Sequence, residues 1–183
     1  MLDYCSRGRR PRSRIFGPCR NRRTSDHFGM SDFPHLKRLD WTWQKQPLYF
    51  ITSCVAGRKK LLATPAVHDI LREEWSGLLK RHGWAVGRYV VMPDHVHFFI
   101  TLSPSGGKPL GQTIGIWKEW TAKRILKAMN EPAPLWQPEF FDHLLRSDES
   151  LAEKWDYVCK NPVRAGLTKD AGDWPYAGSI DFA

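Results

Sequence analysis

The stretch Tyr89-Val-Val-Met-Pro-Asp-His-Val-His-Phe-Phe-Ile100 constrains this chain more than any other. Both of its arms are apolar and rich in β-branched and aromatic residues, and Pro93-Asp94 separates them, so the pattern predicts two consecutive strands. Side chains alternate faces along a strand, so His95 and His97 emerge on the same face. Two imidazoles side by side are half of a divalent-metal site. The ordinary alternative is a pair of unremarkable histidines in a half-buried strand, and an isolated His-x-His favours it. Here the preceding Pro93-Asp94 and the following Phe98-Phe99-Ile100 would hold both rings rigidly. A three-histidine hydrolase would need another imidazole at the next alternate position. That position is Phe99, so a third ligand must come from elsewhere.

A candidate lies sixty residues on, in Tyr157-Val-Cys-Lys-Asn-Pro-Val-Arg-Ala-Gly166. Four residues separate Tyr157 from Asn161, so on one helix they share a face. The amide oxygen of Asn161 is a hard donor suited to Mg²⁺ or Mn²⁺ beside two imidazoles, and Tyr157 would sit one turn back. The competing explanation is a helix-ending asparagine and a packing tyrosine, since Asn before Pro is an ordinary helix ending. Leu151, Trp155 and Val158 trace a separate apolar stripe that can supply the packing. Tyr157 is therefore free to work as a nucleophile, and a metal pair with a helix-borne tyrosine suggests phosphodiester cleavage.

The flanking segments fit one α+β domain. Leu48–Val55 reads as a strand. Thr64 caps a helix with Pro65 at its first position; that helix spaces Val67, Ile70, Leu71, Trp75, Leu78 and Leu79 along one side, and Gly83 stops it. Strands follow over Trp84–Met92 and His95–Leu102. A helix over Leu110–Met129 places Ile114, Trp117, Thr121 and Ile125 near one face. Leu135–Leu145 is extended and aromatic, a fourth strand. Ser147 caps a last helix that runs to about Asn161, where Pro162 closes it. The order β-α-β-β-α-β-α predicts a ferredoxin-like split βαβ fold with an antiparallel sheet and an added C-terminal helix carrying the tyrosine. Residues 168–183 are expected to be an irregular tail packed back on the domain.

Charge is unevenly spread over the 183 residues, whose formal net charge is +9. Residues 1–30 hold eight arginines against Asp3 and Asp26 (+6), whereas the remaining 20 basic and 17 acidic side chains leave only +3. Residues 1–33 are expected to form a basic, disordered extension and 34–183 a single domain. An Arg-rich arm suits nucleic acid. A solvated tail is equally consistent with its composition, as is upstream sequence from a misassigned start, since Met30 opens a more ordinary stretch. The four cysteines, Cys5, Cys19, Cys54 and Cys159, form neither a disulfide frame nor a zinc knuckle, and no apolar run approaches a membrane span. A cytoplasmic protein with no membrane partner is the expectation. Lys118, Lys123, Arg124 and Lys127, together with Arg164, are candidates for a phosphate path, although such charges equally describe a solvated helix face. Asp142 or His143 is a further candidate to supplement the metal or orient the nucleophile, with a polar strand end as the simpler explanation.

Met92-Pro-Asp-His-Val-His97 followed by Tyr157-x-x-x-Asn-Pro-Val-Arg-Ala-Gly166 resembles the single-tyrosine HUH transposases, the IS200-like class, and among them the REP-associated tyrosine transposases. Lys118-Glu-Trp-Thr121, Phe141-Asp-His-Leu-Leu-Arg146 and Asp173-Trp-Pro-Tyr176 are similar to segments at corresponding places in that family, and the resemblance spans roughly Pro47 to Ser179. It implies that His95, His97 and Asn161 hold a divalent metal, Mg²⁺ or Mn²⁺, and that Tyr157 is the nucleophile. The expected activity is then a metal-dependent endonuclease and strand transferase. Its DNA would be single-stranded or hairpin, and it would act through a 5′-phosphotyrosine intermediate. Monomers and dimers both fit the resemblance. The alternatives are a replication or mobilisation initiator of the wider HUH class and a catalytically idle DNA-binding protein of the same fold.

Overall fold

A computed structural model of the chain describes residues 46–145 and 151–183. The Arg-rich extension lies outside the described residues, as do Ser147 and the helix start assigned to it. All described residues belong to one compact unit, Lys37–Ala183. The elements run β1 (Leu48–Cys54), α1 (Pro65–Ser76), α2 (Leu78–His82), β2 (Trp84–Met92), β3 (His95–Leu102), α3 (Leu110–Met129), β4 (Phe141–Leu145), α4 (Leu151–Cys159), α5 (Asn161–Arg164) and β5 (Ala177–Ser179). The sheet order is β4-β1-β3-β2-β5, with every neighbouring pair antiparallel. The first four strands have the split βαβ order expected from the sequence, with β1 and β2 flanking β3. Among the described residues no helix is long and apolar enough to cross a membrane.

Alternation along the strands gives the sheet two differently covered faces. Tyr49, Ile51, Val96, Phe98 and Ile100 face α1 and α3, where they join Val67, Leu71, Trp75, Ile114, Trp117 and Ile125 in the larger core. Trp75 and Trp117 stack with centroids 5.8 Å apart, and Phe98 tilts against both at 5.3 Å. Phe50, Val90, Met92, Phe99 and Leu145 lie on the other face, which is closed by Leu151, Trp155 and Val158 of α4 and by Trp174 and Phe182 of the tail. The stripe Leu151–Trp155–Val158 thus packs as the sequence indicated. A register shift in β2 between Val86 and Tyr89 sets two residues, Gly87 and Arg88, against one on β3, the signature of a β-bulge.

The structure departs from the sequence-based expectations in four places. The helix after Thr64 has its cap, with Thr64 Oγ1 accepting from the amide of Val67, but it breaks at Gly77 into α1 and α2. Arg81 folds back over that break and donates to the carbonyl and carboxylate of Glu74. Leu79 consequently turns outward, 40% exposed. Gly83 does stop α2, in the left-handed conformation (φ 78°), and a Cβ there would meet the carbonyl oxygen of Gly106 at 2.2 Å. The fourth strand is short, because Leu135, Trp136 and Phe140 bury themselves as irregular chain, tied to the residue after β1 by the isolated bridge Val55–Trp136. The last long helix ends at Cys159, and Pro162 sits inside the separate turn α5 rather than closing α4. Proline is favoured in a first helical turn, where its missing N–H is not needed. Finally, the tail is not wholly irregular: Ala177–Ser179 pairs with β2 as an edge strand.

Candidate metal and nucleophile site

β3 delivers His95 and His97 to the face covered by α4. Their Nε2 atoms approach to 3.1 Å with the ring planes 81° apart. Two ligands about 2.1 Å from one ion and at right angles to each other would lie roughly 3.0 Å apart, so the pair fits a common divalent ion. Both Nδ1 atoms are held. His95 Nδ1 contacts Asp94 Oδ1 at 2.6 Å, and since a carboxylate only accepts, the ring nitrogen donates. His97 Nδ1 pairs with the hydroxyl of Thr52 at 2.8 Å. That hydroxyl both donates and accepts, so His97 can keep its proton on Nδ1 and present Nε2 as a bare lone pair. Hydrogen bonds at the far nitrogen are what orient metal-binding imidazoles.

The pairing follows from register. Thr52 lies opposite His97 and Cys54 opposite His95 across β1 and β3. Arg58, in the left-handed conformation just after β1, reaches Asp94 at 2.9 Å and donates to Cys54 Sγ. Burial works against the Asp94 carboxylate, but the His95 hydrogen bond and the charges of His95 and Arg58 hold it below its usual range. Burial pushes His97 well below the ordinary imidazole range, helped by the positive charges of His95, Arg58 and Lys154 and opposed by Asp94. A neutral imidazole is the form that ligates. Phe50 stacks on His97 with centroids 5.3 Å apart, and the ammonium of Lys154 lies 5.1 Å from the centroid of that same Phe50 ring. Lys154 belongs to α4, so the helix bearing Tyr157 runs over the imidazole face.

Tyr157 sits three residues beyond Lys154 and is 55% exposed, so its ring is not part of the core. Asn161 lies beyond the end of α4, in α5, so the two do not share one helix face as the spacing suggested. Arg164 joins them instead. Its Nη2 donates to the Tyr157 carbonyl at 2.6 Å, its Nη1 to Asn161 Oδ1 at 2.6 Å, and its guanidinium lies 4.1 Å from the Tyr157 ring centroid. An amide oxygen has two lone pairs, so Asn161 Oδ1 keeps one for a cation. The described residues show no hydrogen bond between this cluster and the imidazoles.

The other candidates fall elsewhere. Asp142 lies opposite Ile51, on the face toward α1 and α3, away from the imidazoles. His143 shares the imidazole face but pairs with Phe50, one row off and two strands away from His97. Lys118 Nζ donates to the carbonyls of Gln137, Pro138 and Glu139, pinning the chain before β4. Lys123 pairs with Glu119 and lies over the Trp120 ring. Arg124 pairs with Glu73 and Glu74, bridging α3 to α1. All three belong to the helical layer on the far side of the sheet. Sequence reasoning missed Thr52, Arg58 and Lys154. Only Lys154, one turn before the tyrosine, carried a local signal.

Residues 43–157 match the family described as "Transposase IS200 like". A putative REP-associated tyrosine transposase of Haemophilus influenzae is 27% identical over 149 residues, covering 76% of this chain and 82% of that protein. The REP-associated tyrosine transposase of Escherichia coli is 27% identical over 148 residues, covering 81% and 82%. Among solved structures, a REP-associated tyrosine transposase bound to a REP hairpin shares the fold, with a TM-score of 0.60 at 23% identity over 78% of this chain and 82% of that one. The antiparallel sheet and the order of motifs along it therefore have their explanation in descent, and the chain belongs to the IS200-like transposase family.

Proposed function

We propose that this transposase cuts and rejoins single DNA strands beside a hairpin, with Tyr157 as the nucleophile and His95, His97 and Asn161 as ligands of a divalent ion, Mg²⁺ or Mn²⁺. The observation that carries the reading is the convergence of two imidazole Nε2 atoms at 3.1 Å while each Nδ1 is occupied by a neighbour. Bound there, the ion supplies Lewis-acid polarisation of the scissile phosphate and stabilises the departing 3′-oxygen. The phenol of Tyr157 attacks phosphorus and gives up its proton. The Oη–P bond forms as the P–O3′ bond breaks, and the leaving strand takes a proton as a 3′-OH. The product is a 5′-phosphotyrosine. Attack of a 3′-OH on that linkage reverses the step and joins strands. Lys154 adds positive charge over the same face, where a phosphate would be drawn. Hairpin DNA is the favoured substrate because the solved fold neighbour is described as bound to a REP hairpin.

The test is a labelled hairpin library incubated with the protein and Mn²⁺. A covalent protein–DNA adduct is expected, and Tyr157→Phe is expected to bind DNA normally while forming neither adduct nor nick. Nicking by the Phe variant would assign the attack to water or to another residue. Wild-type turnover in excess chelator would remove the metal from the reading.

A further inference from the structure

Tyr157 presents a difficulty for any nucleophile. It is 55% exposed and lies near the end of a nine-residue helix whose apolar stripe points elsewhere. An exposed tyrosine ring samples its rotamers freely, yet attack on phosphorus needs a fixed approach. Asn161 has a related problem. It follows the end of α4 in a separate four-residue turn, so a continuous helix does not fix its place relative to Tyr157.

One side chain meets both needs. Arg164 covers the Tyr157 ring at 4.1 Å, takes the Tyr157 carbonyl with one terminal nitrogen and Asn161 Oδ1 with the other. The planar fork of a guanidinium makes this threefold engagement possible, and an ammonium lacks both the fork and the stacking face. We infer that Arg164 is a positioning residue that clamps the nucleophile Tyr157 to the ligand Asn161 across the break between α4 and α5. The inference rests on the proposed roles of those two residues. The simpler role would be a C-terminal cap, since the Tyr157 carbonyl is among those an α-helix leaves without an internal partner. A cap alone would not need the ring contact or the Asn161 bond, and a nearby lysine would largely replace it.

The experiment compares wild type, Arg164→Lys and Arg164→Ala. In metal-free protein with ring-labelled tyrosine, the Tyr157 resonance is identified by its loss in Tyr157→Phe. It is expected to move toward the shift of a free tyrosine in both Arg164 variants. With a labelled hairpin and Mn²⁺, each protein is first titrated to saturating DNA, so that any change in hairpin affinity is separated from the rate. Adduct formation at saturating DNA should fall roughly 10–100-fold in both variants, and half-saturation in Mn²⁺ should move to higher concentration as Asn161 loosens. An unchanged Tyr157 resonance with an unchanged adduct rate would overturn the inference. So would full rescue by lysine, which would leave a cap only. Failure of the underlying reading looks different: wild type itself would form no adduct, or Tyr157→Phe would still nick.

Discussion

At the scale of single residues, the imidazole pair depends on groups the sequence does not mark. That His95 and His97 share a face is plain from their spacing. That Thr52 holds one ring is not, because it depends on the register of β1 against β3 between residues forty-five positions apart. Asp94 adjoins the motif, but its capture by Arg58 depends on two consecutive left-handed residues, Gly57 and Arg58, after β1. The Asp94 carboxylate fixes the His95 proton on Nδ1 and so leaves Nε2 as the lone pair for the proposed ion. Asp94→Asn keeps the size, removes the charge and leaves one acceptor oxygen where the carboxylate uses two, one for His95 and one for Arg58. Partners of this kind typically contribute 10–100-fold to metal affinity. Mn²⁺ titration is therefore expected to show about that loss for Asp94→Asn, with the folded domain intact. Unchanged affinity would mean that Asp94 serves only to anchor Arg58.

At the scale of elements, the sequence spoke clearly where an element is long or its pattern strict. α3 begins and ends where its apolar spacing says it should, and Asn130 closes it in the left-handed conformation. β2 and β3 are likewise legible. β5 is not, because Ala177-Gly-Ser179 has no apolar alternation and exists only because the edge of β2 is open to it. The break between α4 and α5 was hidden for a different reason: Pro162 is compatible with ending one helix and with starting another. α4 itself is held by little. Val158 alone among its residues is fully buried, and Trp155 meets Phe99 edge-on while Arg88 lies 5.4 Å from the centroid of its ring. Truncating a buried tryptophan costs about 3–5 kcal/mol, and Trp155 is half-buried, so Trp155→Ala should cost roughly half of that. That loss falls on one helix rather than on the Trp75–Trp117 core. Hydrogen exchange is expected to quicken about tenfold or more across α4 and α5 and stay unchanged in β1, β2 and β3, and adduct formation should be lost with the helix. Uniform loss of protection over the sheet would show instead that α4 is integral to the global fold.

At the scale of the whole molecule, the charge that should meet DNA lies in two places. Within the described domain, the cations of the outer helical layer are largely engaged by the protein itself. Arg124 pairs with Glu73 and Glu74, Lys123 with Glu119, and Lys118 with three carbonyls. On the imidazole side the charge is sparser, with Arg58, Arg88, Lys154 and Arg164 grouped around the candidate site. The larger reserve is the +6 of residues 1–30, which carry eight arginines and no lysine. Their role was readable only as charge, because glycine, proline and serine among the arginines leave no periodicity to read. Arginines of this kind release counterions when they meet phosphates, each contact adding about 0.7 to the salt slope on a single strand and about 0.9 on a duplex. If five of the eight engage, a chain beginning at Met30 should bind a hairpin with a slope shallower by roughly 3.5–4.5. Its affinity should converge with that of the full chain as salt rises. The rate of adduct formation at saturating DNA should not change, because every proposed metal ligand and the nucleophile lie beyond residue 90. Binding measured from low to moderate salt decides the matter. An equal slope for both chains would mean that the arm does not touch DNA, and a slower saturated rate would mean that it enters the chemistry.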